Sequence, residues 1–247
     1  HGVDLHRFVP SAGAERTARD VRLLAVGRLV EKKGFPTLLD AMALLTDVDL
    51  TLTIVGDGPD RATLEAQIER LGLAHRVTLR GRTTHAQLPG LYCDADVVVV
   101  PSVVDSRGDR DGLPNVVLEA MACGRPIVAS DVAAIASAVT TGVNGVLVAP
   151  ADAAALAGAI RTVVSDPQRR GALGAAARRT AEQHFALDRC SRRFCELLTE
   201  AFAPVVEAHG AQGLERFLLG SRLRHFAACG AIGVRPVDQH LKGLEAL

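Results

Sequence analysis

Six short aliphatic runs, VRLLAVG (21–27), TLTIVG (51–56), RVTLRG (76–81), DVVVVP (96–101), PIVAS (126–130) and GVLVAP (145–150), recur along the first 150 residues. Runs this short and this apolar suit strands buried on both faces. Between them lie segments of helical period near 35–46, 60–72, 85–93, 114–123 and 132–140. Repeated alternation of strand and helix calls for right-handed crossovers feeding one sheet. The pattern predicts a doubly wound α/β fold with a mostly parallel, six-stranded, Rossmann-like sheet. After residue 150 only helical period remains, in 151–164, 167–184 and 187–202, and these helices are expected to cover the sheet's outer face and edge. A single domain over 1–203 follows, with 204–247 as a tail.

Composition narrows the function classes. Hydrophobic residues make up 48% of the 247, enough for a full core, and with 3% aromatics and no Trp that core is expected to be Val, Leu, Ile and Ala. Twenty-eight basic residues balance 28 acidic ones. That balance argues against nucleic acid or a strongly anionic membrane as the main partner, so any anion site must be local. The five cysteines (Cys93, Cys123, Cys190, Cys195, Cys229) are scattered and form no CxxC or Cys/His cluster, which reads as reduced thiols in a cytoplasmic setting with no metal site. No apolar run reaches the roughly 18 residues of a membrane span. The opening HGVDLHRFVP has no Met and reads as the interior of a longer protein. In the tail, LERFLLGSRLRHFAA (214–228) has helical spacing with Arg216, Arg222 and Arg224. A partner-packing helix is the preferred reading there, and peripheral contact with a membrane the second.

Ligands of open α/β sheets bind beyond the carboxyl ends of the strands, so the loops after the strands are where chemistry is sought. In GRLVEKKG (27–34), Arg28, Lys32 and Lys33 form a local cationic cluster suited to a diphosphate. GDGPDR (56–61) lacks the dinucleotide fingerprint and reads as a tight turn. In DSRGDRDGLPNVVLEAM (105–121), Pro114 suits the first helical position, and Asn115 and Val116 then carry amides free to meet an anion. Gly112 lets a ligand approach the backbone closely. Glu119 lies roughly 7.5 Å along the axis from Pro114 while Asp111 stays in the loop, too far apart to share a proton. Two acids flanking an anion site match a ligand with hydroxyls at both ends and phosphates between, as in a nucleotide sugar.

These stretches occur together and in order. HGVDLHRFVP, VGRLVEKKGFPTLLDAM, IVGDGPDRATLE, VTLRG, LYCDADVVVVPS, DGLPNVVLEAMACGRPIVAS and GVNGVLVAPAD resemble the C-terminal, donor-binding half of GT-B fold glycosyltransferases of family 4, over roughly residues 1–202. The resemblance implies that Arg28 and Lys33 bind the donor diphosphate and stabilise its charge in catalysis. It implies that Glu119 contacts the ribose and that Asp111 takes the sugar-contacting, catalytic position, where the family has a glutamate. The amides of Leu113, Asn115 and Val116 would hold sugar or phosphate, and the loop at 79–82 would lie along the base. The implied activity is metal-independent, retaining transfer of a hexose from a nucleoside diphosphate sugar, with no cofactor. The acceptor, a sugar or a lipid-linked one, would be held by an N-terminal domain that this chain lacks, which leaves the fragment inactive alone. The alternative is a non-catalytic nucleotide-sugar binding module. Departures from the family pattern are Asp111 itself and the loop after PIVAS, where Ala133 and Ala134 replace glycines and Ser137 an acid. The eight histidines fall at no motif position.

Overall fold

A computed structural model describes residues 1–10, 21–132 and 134–200. The strands are β1 (Val21–Val26), β2 (Leu50–Val55), β3 (Val77–Gly81), β4 (Val97–Val100), β5 (Ile127–Ser130) and β6 (Gly145–Val148). They form one six-stranded sheet in the order β3-β2-β1-β4-β5-β6, and every pairing is parallel. Doubly wound topology is thus present as expected. Strand order reverses between β1 and β4, which pair at Leu23 with Val97 and Leu24 with Val98. That pairing is the topological switch point, where the loops leaving two neighbouring strands turn apart and open a crevice.

The helices are α1 (Phe35–Ala43), α2 (Arg61–Arg70), α3 (Leu88–Asp94), α4 (Asn115–Ala122), α5 (Ala153–Val164) and α6 (Pro167–His184). Alternate strand residues divide between two cores, as a strand's period of two requires. Leu23, Ala25, Leu52, Ile54, Val97 and Val99 pack with α1, α2 and α5 on one face. Leu24, Val98, Val100, Ile127 and Ala129 pack with α3, α4, Phe8 and the Ala177–Ala181 stretch of α6 on the other. All four residues of β4 are buried, which is why that run lacks polar alternation. The side chains of Asp152 and Asp166 accept from the Ala155 and Arg169 amides and so start α5 and α6. Residues 187–200 are helical as well.

Three expectations are corrected locally. Where a helix is predicted over 132–140, only a 3₁₀ turn at Ile135–Ser137 forms. The Asn144 side chain accepts from the Thr140 amide (2.7 Å) and donates to the Ala138 carbonyl (2.9 Å), so those groups serve a turn instead of a helical ladder. The helix predicted from 85 starts at Leu88, because Gln87 Oε1 accepts from the Thr84 amide and from both the Thr83 and Thr84 hydroxyls and ties 83–87 into a turn. Pro114 is the cap of α4 and not its first helical residue, since its ψ of 135° is extended. Chain contacts group His1–Cys190 as one compact unit. The tail at 204–247 lies outside the described residues, with its helical segment 214–228. No helix among the described residues is long and apolar enough to cross a membrane.

Candidate functional site at the switch point

The loops leaving β1 and β4 meet at the switch point and are laced to each other. Gly34 ends the first loop at φ 65°, and a side chain there would collide with the Pro101 carbonyl of the second, so only glycine allows the approach. The Val103 amide donates to the Lys32 carbonyl (2.9 Å). Glu31 takes Ser106 with both oxygens, one from the amide and one from the hydroxyl, each at 2.8 Å. Lys32 Nζ meets Asp109 at 2.8 Å, and that hydrogen bond holds the ammonium above its ordinary pKa and the carboxylate below its own. Within the second loop, Asp105 Oδ1 accepts from the Arg107 and Asp109 amides. GDGPDR supports the assembly from behind. The Leu29 amide donates to the Asp57 carbonyl and the Asp60 amide to the Leu29 carbonyl, and a side chain on Gly58 would strike that same carbonyl. This turn is a brace, in keeping with its reading as a tight turn.

The sequence-predicted residues are distributed as follows. Arg28 lies two residues beyond the end of β1, is exposed, and makes no ion pair or side-chain hydrogen bond among the described residues. Lys33 runs its stem over Gly27 and places Nζ 2.6 Å from Asp111 Oδ2. Asp111 therefore sits against the cations, with Lys32 at 3.6 Å as well. Gly112 has open space where a side chain would be, so the protein itself makes no steric demand for glycine there. Leu113 is buried in the core under α4. Asn115 and Val116 occupy the first two positions of α4, and their amides find no acceptor among the described residues. Two unpaired donors at the positive end of a helix can bind an anion, and Lys33 reaches the loop leading into that helix through Asp111. Ala134 caps the 3₁₀ turn and accepts from the exposed Ser137 hydroxyl; Ala133 is outside the described residues.

Glu119 lies deeper. It is 8% exposed, in a helix otherwise apolar on its buried side, and its carboxylate has two polar neighbours, one of them a hydrogen-bond donor. Oε2 accepts from the Tyr92 hydroxyl at 2.7 Å, and Oε1 is 3.7 Å from His85 Nε2. Burial first, and then the Glu119 charge, push the Tyr92 hydroxyl well above its ordinary pKa, so it keeps its proton and donates. Phe8 lies edge-on to both rings, with centroids 5.8 Å from His85 and 5.9 Å from Tyr92. The contact of His85 with Glu119 spans 34 positions of sequence and was missed at the sequence level; the only available signal was the place of His85 in the loop after β3. Cys93, Cys123, Cys190 and Cys195 are all free thiols.

An all-parallel, doubly wound sheet with a crevice at its switch point defines an α/β domain of the Rossmann-like class. The chain belongs to the family Glycosyl transferases group 1, whose profile matches residues 20–166. It is 33% identical over 208 residues to a GDP-mannose-dependent alpha-(1-6)-phosphatidylinositol monomannoside mannosyltransferase of Mycolicibacterium smegmatis, a match covering 80% of this chain and 54% of that protein. It is 34% identical over 220 residues to a D-inositol 3-phosphate glycosyltransferase of an Arthrobacter species, covering 84% and 51%. Among solved structures it resembles sucrose-phosphate synthase from Thermosynechococcus elongatus (TM-score 0.72, 32% identity, 82% of this chain and 52% of that one). It also resembles Anabaena Alr3699/HepE in complex with UDP (TM-score 0.71, 28% identity, 81% and 56%). The chain spans about half the length of the curated relatives it matches.

Proposed function

We propose that this chain is the donor-binding half of a retaining, metal-independent glycosyltransferase that moves a hexose from a nucleoside diphosphate sugar to an acceptor held by a separate N-terminal domain. The observation that carries this reading is the meeting, at the β1/β4 switch point, of the loop that bears Arg28 and Lys33 with the loop that leads into the unpaired amides of Asn115 and Val116, with the Glu119 carboxylate on the same helix. A diphosphate would rest at the start of α4, its ribose toward Glu119 and its sugar toward Asp111. As the bond to the sugar opens, the leaving diphosphate gains negative charge. Arg28, Lys33 and the helix amides would meet that charge as it develops, which lowers the barrier without a divalent cation. Asp111 is the residue offered to the sugar once Lys33 turns to phosphate. UDP and UDP-glucose complexes of the Anabaena relative support a nucleotide sugar as the ligand class.

The test is a thermal-shift panel of UDP-, GDP- and ADP-sugars on this chain and on Glu119→Ala, since a ligand that binds the folded state raises its apparent stability. One nucleotide series should stabilise the parent, and the variant should bind it more than tenfold more weakly, as expected for loss of a charge-assisted hydrogen bond of about 1.5–3 kcal/mol. Absence of a shift with all three series, or equal shifts in parent and variant, would remove the reading.

A further inference from the structure

Glu119 has two carboxylate oxygens and they are not equivalent. Oε2 accepts from Tyr92, a hydroxyl that keeps its proton, while Oε1 has no hydrogen-bond donor among the described residues, so Oε1 has the greater capacity left for a ligand hydroxyl. Oε1 is also the one that faces His85, whose side chain is 59% exposed and whose ring is steadied by Phe8. At 3.7 Å the neutral imidazole is beyond hydrogen-bonding distance of Oε1 and leaves it open. A protonated imidazole in the same place is a cation beside a carboxylate, and it competes for that oxygen. We propose that His85 is a positioning residue that governs Glu119: uncharged, it leaves Oε1 free for the ribose of a bound nucleotide, and protonated, it locks Oε1 into an ion pair and weakens nucleotide binding.

The surroundings isolate this effect. From α3 come Tyr92 and Cys93, from the end of α4 comes Cys123, and from the N-terminal segment comes Arg7, whose guanidinium lies 5.9 Å from the Phe8 centroid. Burial pushes the Cys123 thiol up to about 12, phenols and guanidinium groups as classes do not change charge between pH 5 and 8, and thiols as a class begin to do so only at the upper edge of that range. Imidazole does.

The inference rests on Glu119 meeting a ribose, so the experiment separates the two. UDP, GDP and ADP are titrated calorimetrically into this chain, His85→Gln and His85→Lys, at about pH 8 and about pH 5.5. The nucleotide's own phosphate titration is common to all three proteins, and the quantity compared is each protein's ratio of affinities at the two pH values. In the parent this ratio should exceed that of His85→Gln by about fivefold, the upper end of what a partly exposed ion pair is worth. His85→Lys, charged throughout, should bind as weakly at about pH 8 as the parent does under acid conditions, apart from the phosphate effect. Nucleotide binding with equal ratios in parent and His85→Gln overturns the role of His85 and leaves the donor site standing. No nucleotide binding by any of the three proteins overturns the donor site and this inference with it.

Discussion

The two ends of the sheet treat their charged side chains in opposite ways. At the amino ends of β2 and β3 a cleft of about 630 Å³ is lined by Asp47, Val48, Asp49, His75 and Arg76. Its arginine is fully engaged, since Arg76 donates to the carbonyls of Leu45, Val48 and Leu50, and Arg161, outside the lining, clasps Asp47 and the Leu44 carbonyl. At the carboxyl ends, Arg28 has no partner among the described residues and two amides of α4 remain open. Concavity alone would favour the first region, yet its donors close loops and hold the chain together. A binding site needs donors still available, and parallel strands supply them at the carboxyl end, where helices start.

The largest effect should come from Arg28→Ala combined with Lys33→Ala. Two charge-assisted contacts of about 1.5–3 kcal/mol each predict a loss of roughly a hundredfold or more in nucleoside diphosphate affinity, with nucleoside affinity little changed. Calorimetry with UDP against uridine, or GDP against guanosine, reads this directly. An unchanged preference for the diphosphate would erase the distinction between the two ends. Arg76→Ala should do the reverse, lowering stability by about 1–3 kcal/mol through three carbonyls left without a donor, while nucleotide affinity holds. Chemical denaturation and the same titrations decide it, and weakened nucleotide binding would mean that the ends are coupled. The smallest effect belongs to Arg161→Ala. The hydrogen bond from Arg161 depresses the Asp47 pKa, so the pair contributes stability above the ordinary carboxylate value and loses it as pH falls through the depressed one. The gap in melting temperature between parent and variant should be slight near neutrality and close on acidification. A gap that widens toward low pH would reverse the assigned sign.

The strands were legible because each is a short β-branched run bounded by turn residues, and the parallel order follows from the crossovers between them. What could not be read was long-range pairing. Lys33 meets Asp111 across 78 positions and Tyr92 meets Glu119 across 27, and neither separation carries a local signal. The sequence therefore placed Asp111 and Glu119 in one site by resemblance but left Asp111 without its ammonium partner. Helix ends failed where side chains compete with the backbone, at Gln87 and at Asn144. Apolar periodicity carries no mark of such competition. His85 was passed over for a related reason, since its meaning comes from packing against Phe8 and Glu119 and not from spacing.

The contact between Lys33 and Asp111 has a consequence for how any anion is received. In the proposed complex an incoming phosphate does not find a bare ammonium, since one of the three donors of Lys33 is already given to a carboxylate at 2.6 Å. Where phosphate takes that donor, association at Lys33 exchanges one counter-ion for another, and the energy gained is the difference between two pairings, both screened by salt. Under that reading Asp111 is released as a hydroxyl acceptor as the guest's phosphate arrives.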